Sequence, residues 1–325
     1  MKLFRRSLIA LALVAPCVAA FAQAPGFPNK PIRLVVPFGP GGGADVAARI
    51  VGVELGTLLG QTIVIDNKAG AGTIVGTQLV AKAEPDGYTL LWTTDIQAIN
   101  EAMNRLGRLP SRLQYELKDF DAVGQALSLQ IALMASKKSG ITSMQDLAVK
   151  AKAANGGMSA GSNGEGSPHY LAFLNMQHMG GYKLIDVPYS GSGPTAVAVQ
   201  AGDVDLAFGT VGSAAQIDKN NRATILAVSG PTRDPIAPNV PTIAETGYPG
   251  FSILSWMGIV APKGVPADRL NTLHAALNKV LAMPDVVQKL KTAGMYAAPR
   301  SRDQFGELIV KDAEKIEAIY RNARK

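Results

Sequence analysis

One cysteine in 325 residues excludes a disulfide framework, and three histidines leave little from which to build a metal centre. The cysteine, Cys17, sits in the N-terminal apolar stretch. His169, His178 and His274 show no metal-ligand spacing and no carboxylate cluster beside them. Aromatic residues make up 6% of the chain, and no dense Lys/Arg block with aromatics interleaved occurs. Nucleic-acid binding is therefore not indicated. Apolar runs are short: Leu8 to Ala22 is uncharged but falls below the roughly 20 residues of a spanning helix. Following Lys2, Arg5 and Arg6 and ending in Ala20-Phe21-Ala22, this run is the pattern of a secretory signal, residues 1–22, cut before Gln23. A lipoprotein cut before Cys17 fits poorly beside Pro16. Removing the three signal cations lowers the formal charge from +7 to +4, a soft positive field suited to gathering small anions.

What is abundant is glycine, 34 residues, and proline, 20. Short β-rich runs alternate with helix-like segments, which predicts an α/β fold with mainly parallel sheets. Strands are expected at 32–38, 62–66, 88–93, 131–135, 157–160, 184–188, 204–208, 225–228 and 256–260. In 45–59, Ala47, Ile50, Val51, Leu55 and Leu58 share one helical face. The segment 266–322 reads as three consecutive helices, opened by Pro266, by Pro284 and by a Ser301–Gln304 capping box. Residues 229–250 carry five prolines and read as a connection. Two lobes follow: 23–127 with 250–325, and 128–249. A chain that leaves one lobe, builds a second and returns has two crossing strands and room for a ligand between.

Four glycine-rich loops carry the chemistry. "VVPFGPGGGADVAARI" passes from a strand through Phe38, Gly39, Gly41 and Gly42 into a helix with Asp45 in its first turn. Glycines strip side chains from a helix start, where backbone N–H groups lack partners, and leave a surface that suits an anion. A tight turn with no ligand explains one such loop equally well. The loop also matches G-x-G-x-x-A with Asp66 at the end of the next strand, a weak dinucleotide fingerprint. In "NKAGAGTIVG", Gly70 and Gly72 make a turn and Gly76 allows close helix packing. "SAGSNGEGSPH" offers Ser162, Asn163, Ser167 and His169, with Pro168 suited to a helix N1 position. Ser162 and His169 lack the G-x-S-x-G context of a hydrolase. "VPYSGSGPTAVAV" repeats the first loop's plan, with Tyr189, Gly191, Ser192 and Thr195 before and inside a helix that Pro194 opens. Neither helix start contains Lys or Arg, so an anion held there would rest on backbone N–H groups, hydroxyls and water.

Six ordered stretches resemble the extracytoplasmic receptors of tripartite tricarboxylate transporters, the Bug receptors: "FPNKPIRLVVPFGPGGGADVAAR", "LGQTIVIDNKAGAGTIVGTQLVAKAEPDGYTLL", "GSNGEGSPHYLAF", "VPYSGSGPTAVAVQAGDVDLAF", "VPTIAETGYPGF" and "SWMGIVAPKGVP". The resemblance implies a type II periplasmic binding protein, two α/β lobes closing like a flytrap on one small carboxylate. It also implies delivery to membrane permease subunits, a periplasmic location, a monomer, no cofactor and no catalysis. The site it implies comprises Phe38, Gly39, Gly41, Gly42 and Asp45 in one lobe. In the other it comprises Ser162, Asn163, His169, Tyr189, Gly191, Ser192 and Thr195. Thr94 and Asp95 are expected at the solute's far end, with Phe208 and Gly209 walling the pocket. Gly39 is a departure within the Phe-x-Pro pattern, and 104–120 is longer and more basic than the usual link, so it is expected on the surface. The alternative is a nucleotide-dependent oxidoreductase using the G-x-G-x-x-A turn, distinguished by NAD titration; a sensor presenting its closed form to a membrane partner is a third possibility.

Overall fold

The computed structural model describes residues 26–322; the expected signal, Cys17 included, lies outside them. Along the chain run β1 (Ile32–Val36), α1 (Gly43–Leu59), β2 (Ile63–Asn67), α2 (Ile74–Ala81), β3 (Thr89–Thr94), α3 (Ile96–Arg105) and β4 (Phe120–Leu129). Then come β5 (Ile131–Ser136), α4 (Met144–Ala153), β6 (Met158–Ser162), α5 (Pro168–Gly180), β7 (Leu184–Pro188), α6 (Ser192–Ala201), β8 (Leu206–Thr210), α7 (Val211–Lys219) and β9 (Ala223–Val228). The chain ends with β10 (Ser255–Pro262), α8 (Ala267–Leu281), α9 (Pro284–Thr292), β11 (Tyr296–Arg300) and α10 (Arg302–Asn322).

Two sheets result, ordered β11-β4-β10-β3-β1-β2 and β7-β6-β8-β5-β9. Each is covered on both faces because its strands alternate apolar residues to either side. In β1, Ile32, Leu34 and Val36 pack in one core with Val51 of α1, Leu277 of α8 and Leu290 of α9. Val35 points the other way, into the core that holds Ile99 of α3 and Phe305 of α10. In β5, Ala132 and Met134 pack with Val199 of α6 and Ala214 of α7, while Leu133 and Ala135 join the same core as Val35, which continues from the first sheet to Leu147 of α4 and Phe173 of α5. This is the two-lobed type II periplasmic binding protein architecture.

The sheets are mixed rather than mainly parallel. β10 runs antiparallel to β3 and β4, and β5 antiparallel to β8 and β9. The reason is where the crossing chain enters. Both strands begin at the edge where their neighbours end, and a strand entering there must run the opposite way.

Two strands escape the sequence pattern. β4 breaks its apolar alternation with Gly124, Gln125 and Ser128, and its pairing with β10 carries two register shifts. β11 interrupts the expected run of three helices: Tyr296–Arg300 pairs with β4 at the sheet's edge, where Pro299 is tolerated. The helix starts around it agree with the sequence. Pro284 occupies the first turn of α9. Ser301 and Gln304 exchange side chain–backbone hydrogen bonds, each of 3.2 Å. On α1, Leu58 is 40% exposed, and Ala44, Ala48 and Gly52 complete the buried face instead. Gly76 packs as expected: a Cβ there would lie 2.9 Å from the Lys68 carbonyl and from Pro37. Of 104–120, most positions are exposed or half-buried, but Leu113 and Tyr115 are buried in the core.

Hydrogen bonds tie the two crossings to each other, and Phe251 and Ile253 of the second are buried in the core. The buried Ser229 hydroxyl accepts from the Ile131 N–H (3.1 Å) and donates to the Ile253 carbonyl (2.6 Å). Gln130 brackets the same place, accepting from the Gly230 N–H at 2.9 Å and donating to the Thr232 carbonyl at 3.1 Å.

Candidate functional site

Strand direction places the glycine loops. In the first sheet β1 is parallel to β2 and β3. β3 ends where β10 begins (Thr94 opposite Met257), and β4 ends there too (Leu129 opposite Ser255). In the second sheet β6 is parallel to β7 and β8. β8 ends where β5 begins (Thr210 opposite Ile131), and β9 ends beside it (Val228 opposite Ala132). Both crossings therefore join the edges at which the parallel strands end. The loops after β1 and β3 flank that junction from one lobe, and those after β6, β7 and β8 flank it from the other. Open α/β sheets bind ligands at such edges.

The loop after β1 reaches α1 through Gly42, the N-cap, whose φ of −73° and ψ of 164° are extended and which offers no side-chain cap. Gly41 has φ of +83°, the left-handed region that favours glycine. Nothing lies within 4 Å of a Cβ built on Gly39 or Gly41. The first-turn N–H groups of α1 are thus uncapped by any side chain and uncovered above.

Asp45 is turned beneath this loop. Its carboxylate accepts from the Gly41 N–H, Arg49 Nε and Asn67 Nδ2, each at 2.9 Å. Asn67 also donates to the Phe38 carbonyl at 3.0 Å and accepts from Arg49 at 3.0 Å. The Arg49 guanidinium holds the carboxyl down to about 2, against burial and with help from Gly41 and Asn67. No motif in the sequence singles out Arg49 or Asn67; the one signal is that Asn67 directly follows Asp66. Asp66 itself pairs with Arg33 and Lys68. Because the folded pKa of Asp45 lies below its ordinary 3.8, its stabilisation stands above that value and is lost as pH falls towards 2. Asp45→Asn is expected to cost about 1–2 kcal/mol at pH 7, a deficit that closes on acidification. Urea melts at pH 7 and pH 3 measure it.

The loops of the second lobe form one hydrogen-bonded group. α6 starts at Gly191, with φ of +141° and no side-chain cap, and nothing lies within 4 Å of a Cβ on Gly191 or Gly193. Thr195 donates to Asn163 Oδ1 (3.2 Å), and Asn163 Nδ2 donates to the Ser192 hydroxyl (3.4 Å). The Tyr189 N–H donates to the Ser162 carbonyl at 2.8 Å. Pro194 lies within the first turn of α6 rather than opening it. The start of α5 is different: Ser167 caps it, accepting from the Tyr170 N–H at 3.2 Å. Only α1 and α6, of these three starts, present a bare first turn.

The remaining expected residues are buried. Ser162 accepts from the Gly164 N–H at 2.9 Å, and among the described residues no hydrogen bond joins it to His169. His169 lies beside Phe208, ring centroids 6.3 Å apart, with Nδ1 unpartnered. Burial pushes its pKa down to about 4, so it is a neutral imidazole at pH 7. Phe208 is fully buried and packs on Phe173 at 4.7 Å; a Cβ on Gly209 would meet the Met134 methyl at 3.0 Å. Thr94 accepts from the Ile96 N–H at 3.3 Å. Asp95 accepts from the Ser255 hydroxyl at 2.8 Å, and burial, with Asp312 adding to it, pushes its pKa up to about 7. No group of three or more His, Cys, Asp or Glu suited to a metal occurs among the described residues.

The model of the tripartite tricarboxylate transporter family receptor matches residues 47–324. A Pseudomonas sp. (strain P51) protein known as the UPF0065 protein in the tcbD-tcbE intergenic region is 36% identical over 318 residues, 97% of this chain and 93% of its own. The structure of an R. palustris protein with adipate superposes with a TM-score of 0.80 at 28% identity, over 92% of this chain and 98% of that one. MatC from Rhodopseudomonas palustris with bound malate superposes with a TM-score of 0.74 at 29% identity, over 90% and 99%. With its fold, its two glycine-started helices and this match agreeing, the chain belongs to the tripartite tricarboxylate transporter receptor family, a family of solute-binding receptors.

Proposed function

We propose that this protein is a periplasmic receptor that binds one small organic carboxylate between its lobes and delivers it to a membrane permease. The observation that carries this is the pair of bare helix starts, Gly42 of α1 and Gly191 of α6, on the two sheet edges that the crossings join. Each start offers unpaired N–H groups and the positive end of a helix dipole. Phe38, Gly39, Gly41 and Gly42 line one side, the Gly41 amide being engaged by Asp45. Asn163, Tyr189, Gly191 and Ser192 line the other, with Ser162 and Thr195 buried behind them. Thr94, Asp95, His169, Phe208 and Gly209 form the supporting wall. The loops contain no cation and His169 is neutral, so the carboxylate is held by amides, hydroxyls and water. Closing the lobes removes bulk water and strengthens those contacts. The adipate and malate named in the two similar structures support the ligand class.

Titration calorimetry across aliphatic mono- and dicarboxylates, malate and adipate included, and aromatic acids tests this. Binding of at least one with a Kd near or below about 10 µM is expected; heat from none would reject the function.

A further inference from the structure

The solute site makes no use of the unusual link 104–120, yet that link reaches the second lobe. It is anchored by Leu113 and by Tyr115, whose ring meets Phe120 edge-on at 5.9 Å. Ahead of these anchors, the Arg108 guanidinium forms an ion pair with Glu165, in the loop after β6. The same guanidinium lies over the ring of Tyr320, 5.1 Å from its centroid. Tyr320, buried near the end of α10, donates its hydroxyl to the Glu165 carbonyl oxygen and stacks on Tyr170 of α5, centroids 6.3 Å apart.

Glu165 is thus gripped twice, by side chain and by main chain, from the first lobe. An exposed ion pair alone is worth little, but this guanidinium is 20% exposed and also rests on an aromatic face, which favours arginine over lysine. Glu165 stands between Asn163, which orders the start of α6 through Ser192 and Thr195, and Ser167, which caps α5. Within the loop its neighbour Gly164 is held by the Ser162 hydroxyl at 2.9 Å and by the Ser167 hydroxyl at 2.6 Å, whereas Glu165 itself is bonded to Arg108 and Tyr320 of the first lobe.

Building on the solute-receptor function proposed above, we infer that Arg108 and Tyr320 are positioning residues of the solute site. Without touching the solute, they hold the Glu165 loop, and through Asn163 the bare start of α6, against the first lobe. Separating the lobes breaks both contacts, so solute residence depends on them.

The test compares wild type with Arg108→Gln, Tyr320→Phe and, as a control, Arg105→Gln, which removes a neighbouring pair with Glu101 inside the first lobe. Hydrogen exchange is read on the solute-free proteins, and dissociation is read with the tightest carboxylate of the panel. At least tenfold faster exchange confined to 163–169 is expected in Arg108→Gln and Tyr320→Phe, with at least fivefold faster dissociation, and neither in the control. Unchanged exchange at 163–169, or a rise spread equally over the core strands, overturns the inference. Wild type that binds no carboxylate condemns the solute function instead, because the exchange difference is measured without solute.

Discussion

Gly42→Val is expected to weaken carboxylate binding at least about 100-fold, or about 2.7 kcal/mol, while leaving the melting temperature within about 2 °C of wild type. The two effects separate because of where Gly42 stands. Its φ of −73° and ψ of 164° suit any L-residue, and a Cβ there meets only the Gly39 carbonyl, at 3.8 Å. The fold therefore accepts valine. The isopropyl group, however, stands over the bare first turn of α1, where the solute's oxygens would approach. Gly41 is a poorer probe, since its φ of +83° would strain valine whatever the ligand does. Gly193→Val tests the second lobe in the same way, on an open position in the first turn of α6. Calorimetry paired with thermal melts reads both quantities, and wild-type affinity in Gly42→Val would remove α1 from the site.

Asp95→Asn is expected to stabilise the protein by about 2–4 kcal/mol at pH 8, with the gain disappearing near pH 4. Burial holds the Asp95 carboxyl up at about 7, and Asp312 adds to the effect. Asp312 is itself raised by burial, although Trp256 Nε1 donates to it at 2.7 Å. Between pH 4 and 7 the unfolded chain has released the Asp95 proton and the native chain retains it. Stability consequently falls as pH rises through that window, and the full cost stands above it. An uncharged amide avoids that cost and keeps an acceptor for Ser255. His169 works in the opposite sense. With its pKa held down to about 4 from 6.5, it lowers stability as pH falls through that interval. The two slopes oppose each other in the wild type, so Asp95→Asn should also become more acid-sensitive than its parent below pH 6. Urea melts at pH 4, 6 and 8 measure this; a variant no more stable than wild type at pH 8 would show that Asp95 is not held against ionisation.

Several local features are legible in the order of the residues alone. The capping box at Ser301, the proline starts of α5 and α9 and the close packing at Gly76 are set within a few residues, and local chemistry specifies them. β4 and β11 are illegible for a matching reason. One is broken by Gly124 and Gln125 and the other is a short edge strand with a proline, so neither carries a period of two. The crossing into β10 is legible as a proline-rich connection, but its consequence, that β10 runs antiparallel to β3 and β4, is not.

The class of the molecule is written in the residue order: strand–helix alternation, two lobes, two glycine-started helices and the motifs of a receptor family. Those are properties of neighbouring residues and of their order along the chain. Which groups around the loops remain free is a matter of three-dimensional packing. That packing turned Asp45 inward to Arg49 and Asn67, buried Asp95 against Ser255 and left His169 neutral. It also fastened Glu165 to Arg108, 57 residues away, and to Tyr320, 155 away. Hydrogen-bond partners at such separations are chosen by how sheets and helices pack, and no periodicity in the chain encodes them.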